Sequence, residues 1–169
     1  MVATRRSGRV TVGLFGWMHA GGVGELADTG PGRFTGHRYV EVLEEVLLPS
    51  VRSLLFPEPE EFYIVQDNSP VHTCRVVKEW FRQQPAITIL PHPPRSPDLN
   101  PIEHVWSAMS SRMARMRLQQ SNAAVTAGAM QAWEELRGPA GLDLTSSLVV
   151  SMPRRFIEVI VAGGSYSRF

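Results

Sequence analysis

A single cysteine, Cys74, is the chain's whole supply, which excludes a disulfide framework and a cysteine-based zinc site within one polypeptide. A reducing compartment suits such a sequence. Long hydrophobic runs are missing as well. The basic start, Met1 to Arg9, leads into a stretch punctuated by Gly13 and Gly16, and nothing reaches the roughly 18 apolar residues that a membrane-spanning helix requires. The expectation is a soluble intracellular protein with no membrane partner. Charge of one sign is also scarce, since 17 Lys and Arg face 16 Asp and Glu. Bulk charge therefore cannot argue for nucleic acid, because non-specific DNA binding needs many basic side chains to displace counterions from phosphates.

What remains is the composition of a globular domain. Apolar residues make up 43% and charged residues 20%, far from the composition of disorder. A chain of 169 residues is long enough for one domain with a real core and too short for two comfortable ones. Arg112, Arg115 and Arg117 cluster in the second half, Arg154 and Arg155 near the end, and Glu58, Glu60 and Glu61 form an acidic patch. Such clusters are ordinarily solvated faces.

Periodicity predicts an α/β fold. Arg9 to Trp17 and Val23 to Ala27, joined across Ala20-Gly21-Gly22, read as a β-hairpin. From Thr35 to Leu55, apolar residues recur at spacings of three and four, the mark of a helix with one buried face, and Pro49 should kink or restart it. Phe62 to Val65 and Ala86 to Leu90 read as strands buried on both faces, separated by a helix over Thr73 to Arg82. A right-handed crossover makes these two strands parallel and brings whatever follows each to the same sheet edge. Prolines 91, 93, 94, 97 and 101 stiffen the next segment, and Ile102, Val105, Trp106, Met109, Met113 and Met116 trace a helical stripe. Two further helices are expected, around Val125 to Leu136 and Pro153 to Ala162, the latter ended by Gly163-Gly164.

Two acids occupy positions with chemical potential. Asp67 directly follows a predicted strand in Gln66-Asp67-Asn68-Ser69-Pro70, so its carboxylate should emerge at the sheet edge, although this is also ideal turn chemistry. Glu103 opens the stripe helix, where Asn100 as N-cap, Pro101 and Glu103 also resemble a capping box. Taken singly, each is better explained by local structure. Together they could converge on a hard cation such as Mg²⁺ or Mn²⁺, which prefers oxygen ligands. His72, His92 and His104 lie nearby but follow no recognised zinc spacing. Pro93-Pro94-Arg95-Ser96-Pro97 is a possible polyproline ligand, though it sits inside the domain.

The residues around the acids are more specific than the acids themselves. Val65-Gln66-Asp67-Asn68-Ser69-Pro70-Val71-His72-Thr73, followed by Pro94-Arg95-Ser96-Pro97-Asp98-Leu99-Asn100-Pro101-Ile102-Glu103-His104-Val105-Trp106, resembles the second-acid and third-acid motifs of the Tc/mariner transposases, with 35 residues (positions 68 to 102) between the acids. The similarity runs from Gly22-Val23-Gly24-Glu25-Leu26 through Leu43-Glu44-Glu45-Val46-Leu47-Leu48-Pro49 to Ser151-Met152-Pro153-Arg154-Arg155 and Gly163-Gly164.

The resemblance implies an RNase H-like fold, a mixed sheet flanked by helices, with Asp67 and Glu103 as catalytic, metal-binding acids of a site that takes two Mg²⁺ or Mn²⁺ ions. It implies cleavage at transposon ends and joining of the freed 3′-OH to target DNA, hence DNA as partner, a homodimer as a possible assembly, and the nucleus as the compartment. Asn68 and His72 become motif neighbours that shape the site, and Arg112 and Arg115 candidate DNA contacts. The family's first acid stands on an opening strand upstream of the hairpin. Asp28, the only Asp before Asp67, falls in the wrong place, so residues 1–169 are expected to form one N-terminally truncated catalytic domain lacking that strand and the helix-turn-helix region. The alternative is a transposon-derived remnant or co-opted module that binds DNA or protein without catalysis.

Overall fold

The computed structural model describes residues 2–7, 10–55, 61–94 and 96–161. Three antiparallel strands open it: β1 (Val2–Ser7), β2 (Val10–His19) and β3 (Gly22–Asp28), in the order β1-β2-β3. β2 and β3 are the expected hairpin, whereas β1 occupies a basic stretch to which the sequence reading assigns no strand. β1 pairs with β2 only as far as Val2 opposite Phe15, so Gly16 to His19 run on beyond it.

β2 is buried on both sides, and the alternation of its side chains divides the core. Val12 and Leu14 join one cluster with the later helices, while Phe15 joins another with the earlier ones. This is the period-two geometry of a strand between two helical layers.

The first layer follows at once. Thr35 caps α1 (Gly36–Val42) by accepting from the Arg38 amide, the usual role of a threonine before a helix. A π-helical turn, Leu43–Leu47, passes directly into α2 (Leu48–Leu54), so the helix expected from 35 to 55 is continuous. Pro49 is the physical cause of the irregularity: lacking an N–H, it cannot bond back to the preceding turn, and the wider turn sits just before it.

The crossover is as expected. β4 (Phe62–Ile64) and β5 (Ile87–Ile89) are parallel, joined through α3 (Pro70–Thr73) and α4 (Arg75–Arg82). Val77, Trp80 and Phe81 of α4 are buried beside Tyr39 and Leu43. The expected burial of both strands on both faces needs correction, because Tyr63 is 69% exposed and Ile89 36%. Among the described residues β4 and β5 form a sheet of only two strands, separate from β1–β3, and one face of so narrow a sheet is left uncovered.

The second layer comprises α5 (Ile102–Arg115), α6 (Asn122–Glu135) and α7 (Pro139–Val161). The stripe from Ile102 to Met113 packs against Val12, Leu14, Val23 and the α6 residues Ala129 and Trp133. α7 begins well before the Pro153 start expected from sequence, and Pro153 lies inside it. A proline is tolerated there because the residues around it, Val150, Ile157 and Ile160, face solvent, where a displaced carbonyl can bond water. The Pro57-Glu58-Pro59 loop, Glu60, Arg95 and Gly163-Gly164 lie outside the described residues; Glu61 is exposed.

Candidate active site

Asp67 follows β4, and the segment from Leu90 to Asn100 follows β5 at the same edge of the sheet. The two are tied directly, since the Asn68 Nδ2 donates to the His92 carbonyl at 2.6 Å. Parallel pairing thus delivers the proline-rich segment to Asp67, and a 3₁₀ turn, Pro97–Leu99, leads it into α5. The N-cap position of α5 falls on Pro101 with no side-chain cap, one residue later than the capping box expected on Asn100. Glu103 is therefore the second helical residue, and its amide bonds to the Asn100 carbonyl at 3.1 Å.

Asp67 and Glu103 line one cleft of about 330 Å³, with Asn68, Ser69, His92 and the proline segment as its walls. The convergence inferred from the βαβ topology is realised. Both acids sense it, in opposite directions. His72 Nδ1 donates to Asp67 Oδ1 at 2.6 Å and the Ser69 amide donates to the same oxygen at 3.1 Å. The His72 bond, reinforced by that amide, outweighs burial and holds the Asp67 carboxyl down at about 2. Among the described residues Glu103 has no such donors; desolvation and then the negative charge of Asp67 push its carboxyl above the usual range. A site that disfavours one of two neighbouring carboxylates in its charged form is one that a cation would relieve.

His72 is a buried support for Asp67. Its ring lies 4.6 Å from that of Tyr39, centroid to centroid, and the Tyr39 hydroxyl donates to Gln66 Oε1 at 2.7 Å. Tyr39 of α1 thus supports both residues on either side of the Asp67 backbone turn. Burial and then the charge of Asp67 push the Tyr39 hydroxyl far above its ordinary range, so it stays protonated and remains a donor.

Arg155 is the residue the sequence reading left without a role. It is buried on α7 and its Nη1 donates to the Asp98 carbonyl at 3.1 Å and to His104 Nε2 at 2.9 Å, while its Nε donates to Ser151 Oγ at 2.9 Å. One guanidinium therefore fixes the turn before α5 and the residue after Glu103. His104 accepts this bond as a neutral ring, and desolvation, then the Arg155 charge, lowers its affinity for a proton. The available signal was the stripe Leu148, Met152, Arg155: an arginine at helical spacing on an otherwise apolar face.

Arg112 and Arg115 lie further along α5, about 14 and 18 Å from Glu103 at 1.5 Å of rise per residue. Arg112 faces Glu135 of α6 at 3.7 Å, whereas Arg115 is exposed. The three histidines of the possible zinc reading go to different partners: His72 to Asp67, His92 to the Pro93 carbonyl and His104 to Arg155.

The opposite shifts of the two acids predict a non-monotonic pH profile. Asp67 contributes stability above its ordinary value of 3.8, and this is lost as pH falls toward about 2. Glu103 does the reverse: its charge costs stability above its ordinary value of 4.5, and the cost disappears on protonation. In metal-free buffer, Glu103→Gln should raise Tm at pH 7, because it removes a charge that burial and Asp67 disfavour. Below about pH 4 the two proteins should melt together; calorimetry at pH 3.5 and 7 checks both arms.

Acids on adjoining segments at one edge of a sheet layered between helices define an RNase H-like protein, and known structures agree. The chain superposes on the catalytic domain of Mos1 mariner transposase with a TM-score of 0.82, covering 99% of this chain and 82% of that one at 20% identity. The Mos1 catalytic domain solved with raltegravir and manganese gives 0.83, with coverages of 99% and 83% at 20% identity. The DDE superfamily endonuclease family model matches residues 3–125; the chain belongs to that family. Among curated relatives, the Tcb2 transposase of Caenorhabditis briggsae is 32% identical over 134 residues, covering 78% of this chain and 45% of the relative. The Tc1 transposase of Caenorhabditis elegans is 35% identical over 108 residues, covering 64% and 37%. The chain spans less than half the length of the curated relatives it matches.

Proposed function

We propose that this chain is the catalytic core of a DNA transposase, acting in metal-dependent cleavage of phosphodiesters and strand transfer, with Asp67 and Glu103 as its cation-binding acids. The observation that carries the reading is the pair itself: two carboxylates from separate segments share one open cleft, in a chain of the DDE superfamily endonuclease family whose relatives are named as transposases.

The donor set fits a hard divalent cation, since it is built of carboxylate oxygens and Glu103 is disfavoured as an uncompensated anion. Mg²⁺ or Mn²⁺ is the proposed cofactor, supported by Mos1 structures solved with Mn and with Mg. When bound, such an ion supplies an activated water and neutralises charge on the leaving oxygen. The chain's residues then have separable tasks. His72 and the Ser69 amide occupy Oδ1 of Asp67 and fix its plane, leaving Oδ2 as the oxygen presented to a ligand. Asn68 ties the two cleft walls together, and Arg155 anchors the turn that carries Glu103. Among the described residues no cluster of three His, Cys, Asp or Glu is assembled, so the pair alone should hold a cation weakly and turn over slowly.

DNA is the proposed partner, with exposed Arg115 a better candidate phosphate contact than Arg112, whose guanidinium faces Glu135. Mos1 has been solved as a paired-end complex, which supports a dimer on DNA here as a proposal, and the nucleus follows as the compartment of such a reaction. No helix among the described residues is long and apolar enough to cross a membrane.

The test is strand cleavage of duplex DNA carrying inverted transposon ends, with Mn²⁺ added. The full chain should nick slowly, and Asp67→Asn and Glu103→Gln should each abolish the product. No product from the unsubstituted chain, or product that survives both substitutions, would count against catalysis and favour the non-catalytic binding module.

A further inference from the structure

The buried residues of α7 are Gly141, Thr145, Leu148 and Arg155, so among the described residues beyond Leu148 the only buried side chain of this helix is a charged one. Around it Val150, Ile157, Ile160 and Val161 are exposed, and Pro153 removes one of the helix's own backbone bonds. Apolar burial and helical bonding therefore contribute little to where the last turns lie. An arginine is rarely buried unless its donors are met, and here the helix itself aims them. The Ser151 hydroxyl donates to the Leu148 carbonyl at 2.7 Å, which turns a lone pair toward Arg155 Nε and leaves Nη1 directed at the start of α5.

That start lacks a local tie. α5 begins at Pro101 with no side-chain cap, so the first turn, which carries Glu103, has no device of its own to fix its direction. The Glu103 and His104 amides bond only to the carbonyls of Asn100 and Pro101, within the same turn. The Arg155 contacts to the Asp98 carbonyl and to His104 Nε2 bracket Glu103 from either side, and they come from more than fifty residues away. Nη1 carries two protons in one rigid plane, so a single nitrogen sets the two points relative to each other, as a flexible ammonium does not.

We propose that Arg155 is a positioning residue for the cation site: it makes the placement of Glu103 conditional on the docking of α7 and so links the two. Linkage is reciprocal. A cation held by Glu103 should steady the end of α7, and loss of the Arg155 contacts should weaken the hold on the cation. The cation half rests on the proposed function, whereas the ordering of the Glu103 turn does not.

The test compares the full chain with Arg155→Lys, Arg155→Met and, as a control, Arg154→Met, whose side chain is 65% exposed beside Glu158. Without metal, hydrogen exchange at the Glu103 and His104 amides should quicken at least about tenfold in both Arg155 variants. It should stay unchanged at Met109 in mid-helix, and everywhere in the control. With Mn²⁺, at a temperature where calorimetry shows every form folded, Arg155→Met should bind the ion at least about fivefold more weakly. Arg155→Lys should fall between, because the ammonium keeps one bond. His104→Leu should weaken the ion as well, and adding it to Arg155→Met should cost little more, since both remove the same bond.

Unchanged exchange at Glu103 would overturn the proposal. So would faster exchange with unaltered Mn²⁺ affinity, which makes Arg155 a stability residue only, or fully additive losses in the double variant. A chain that binds no Mn²⁺ in any form refutes the proposed function and the cation half with it, while the exchange result still decides whether Arg155 orders the turn.

Discussion

Trp133→Ala should lower the melting temperature by roughly 6–20 °C, a large stability effect for one substitution. Trp133 is 2% exposed and meets Trp106 of α5 at 5.0 Å between ring centroids. Its indole Nε1 donates to the Gly24 carbonyl of β3 at 2.8 Å, so one side chain joins α6, α5 and the sheet. The backbone makes room for the pair at Gly16, where an added Cβ would lie 2.8 Å from the Trp106 ring and 2.9 Å from that of Trp133. Truncating a buried tryptophan costs about 3–5 kcal/mol through lost burial and the cavity left behind, against a total stability of about 5–15 kcal/mol. At about 2–4 °C per kcal/mol for a chain of this length, the stated shift follows.

Trp133→Phe separates packing from hydrogen bonding. It keeps most of the ring but drops the donor, and the Gly24 carbonyl retains Arg137 Nη2 at 3.1 Å. The cost should be about 1–2 kcal/mol, the scale of one lost hydrogen bond with some lost contact. If the two variants melt alike, the bond to Gly24 rather than the packing holds this layer together.

The parts of the fold legible from sequence were those with local causes. The spacing from Tyr39 to Leu54 announced its helix, and the apolar runs at Phe62 and Ile87 with a helix between them required parallel strands. That topology alone placed Asp67 beside the segment leading to Glu103. The extent of α7 was not legible, because Pro153 reads as a start wherever local rules decide, and only packing of Leu148 and Arg155 shows the helix passing through it. Strand burial was misjudged for a related reason: Tyr63 and Ile89 have strand-like side chains, but their exposure depends on which strands flank β4 and β5.

The site shows the same division. Motif resemblance singled out Asp67, Glu103, Asn68 and His72, and the structure gives the last two physical tasks, a tie between loops and a hydrogen bond to Asp67. Neither task is written in the spacing, since His92 is 24 residues from Asn68. Arg155, 51 residues from His104, was beyond any local rule.

Asp67 and Glu103, proposed to act together on one cation, carry the second large expected effect. Removing either negative charge from a divalent ion about 4 Å away forfeits at least about 1.4 kcal/mol even near water's dielectric screening, or about tenfold in affinity. Neither substitution should unfold the chain, since Asn keeps an oxygen for the Ser69 amide and Gln relieves the strained charge of Glu103. Titration of Mn²⁺ at pH 7, followed by the electron paramagnetic resonance of the free ion, measures this directly. The unsubstituted chain should bind one site that Asp67→Asn and Glu103→Gln each weaken at least about tenfold, with the double variant showing no specific binding. Affinity left unchanged by either substitution would contradict a shared cation site and, with it, the assignment of these two acids.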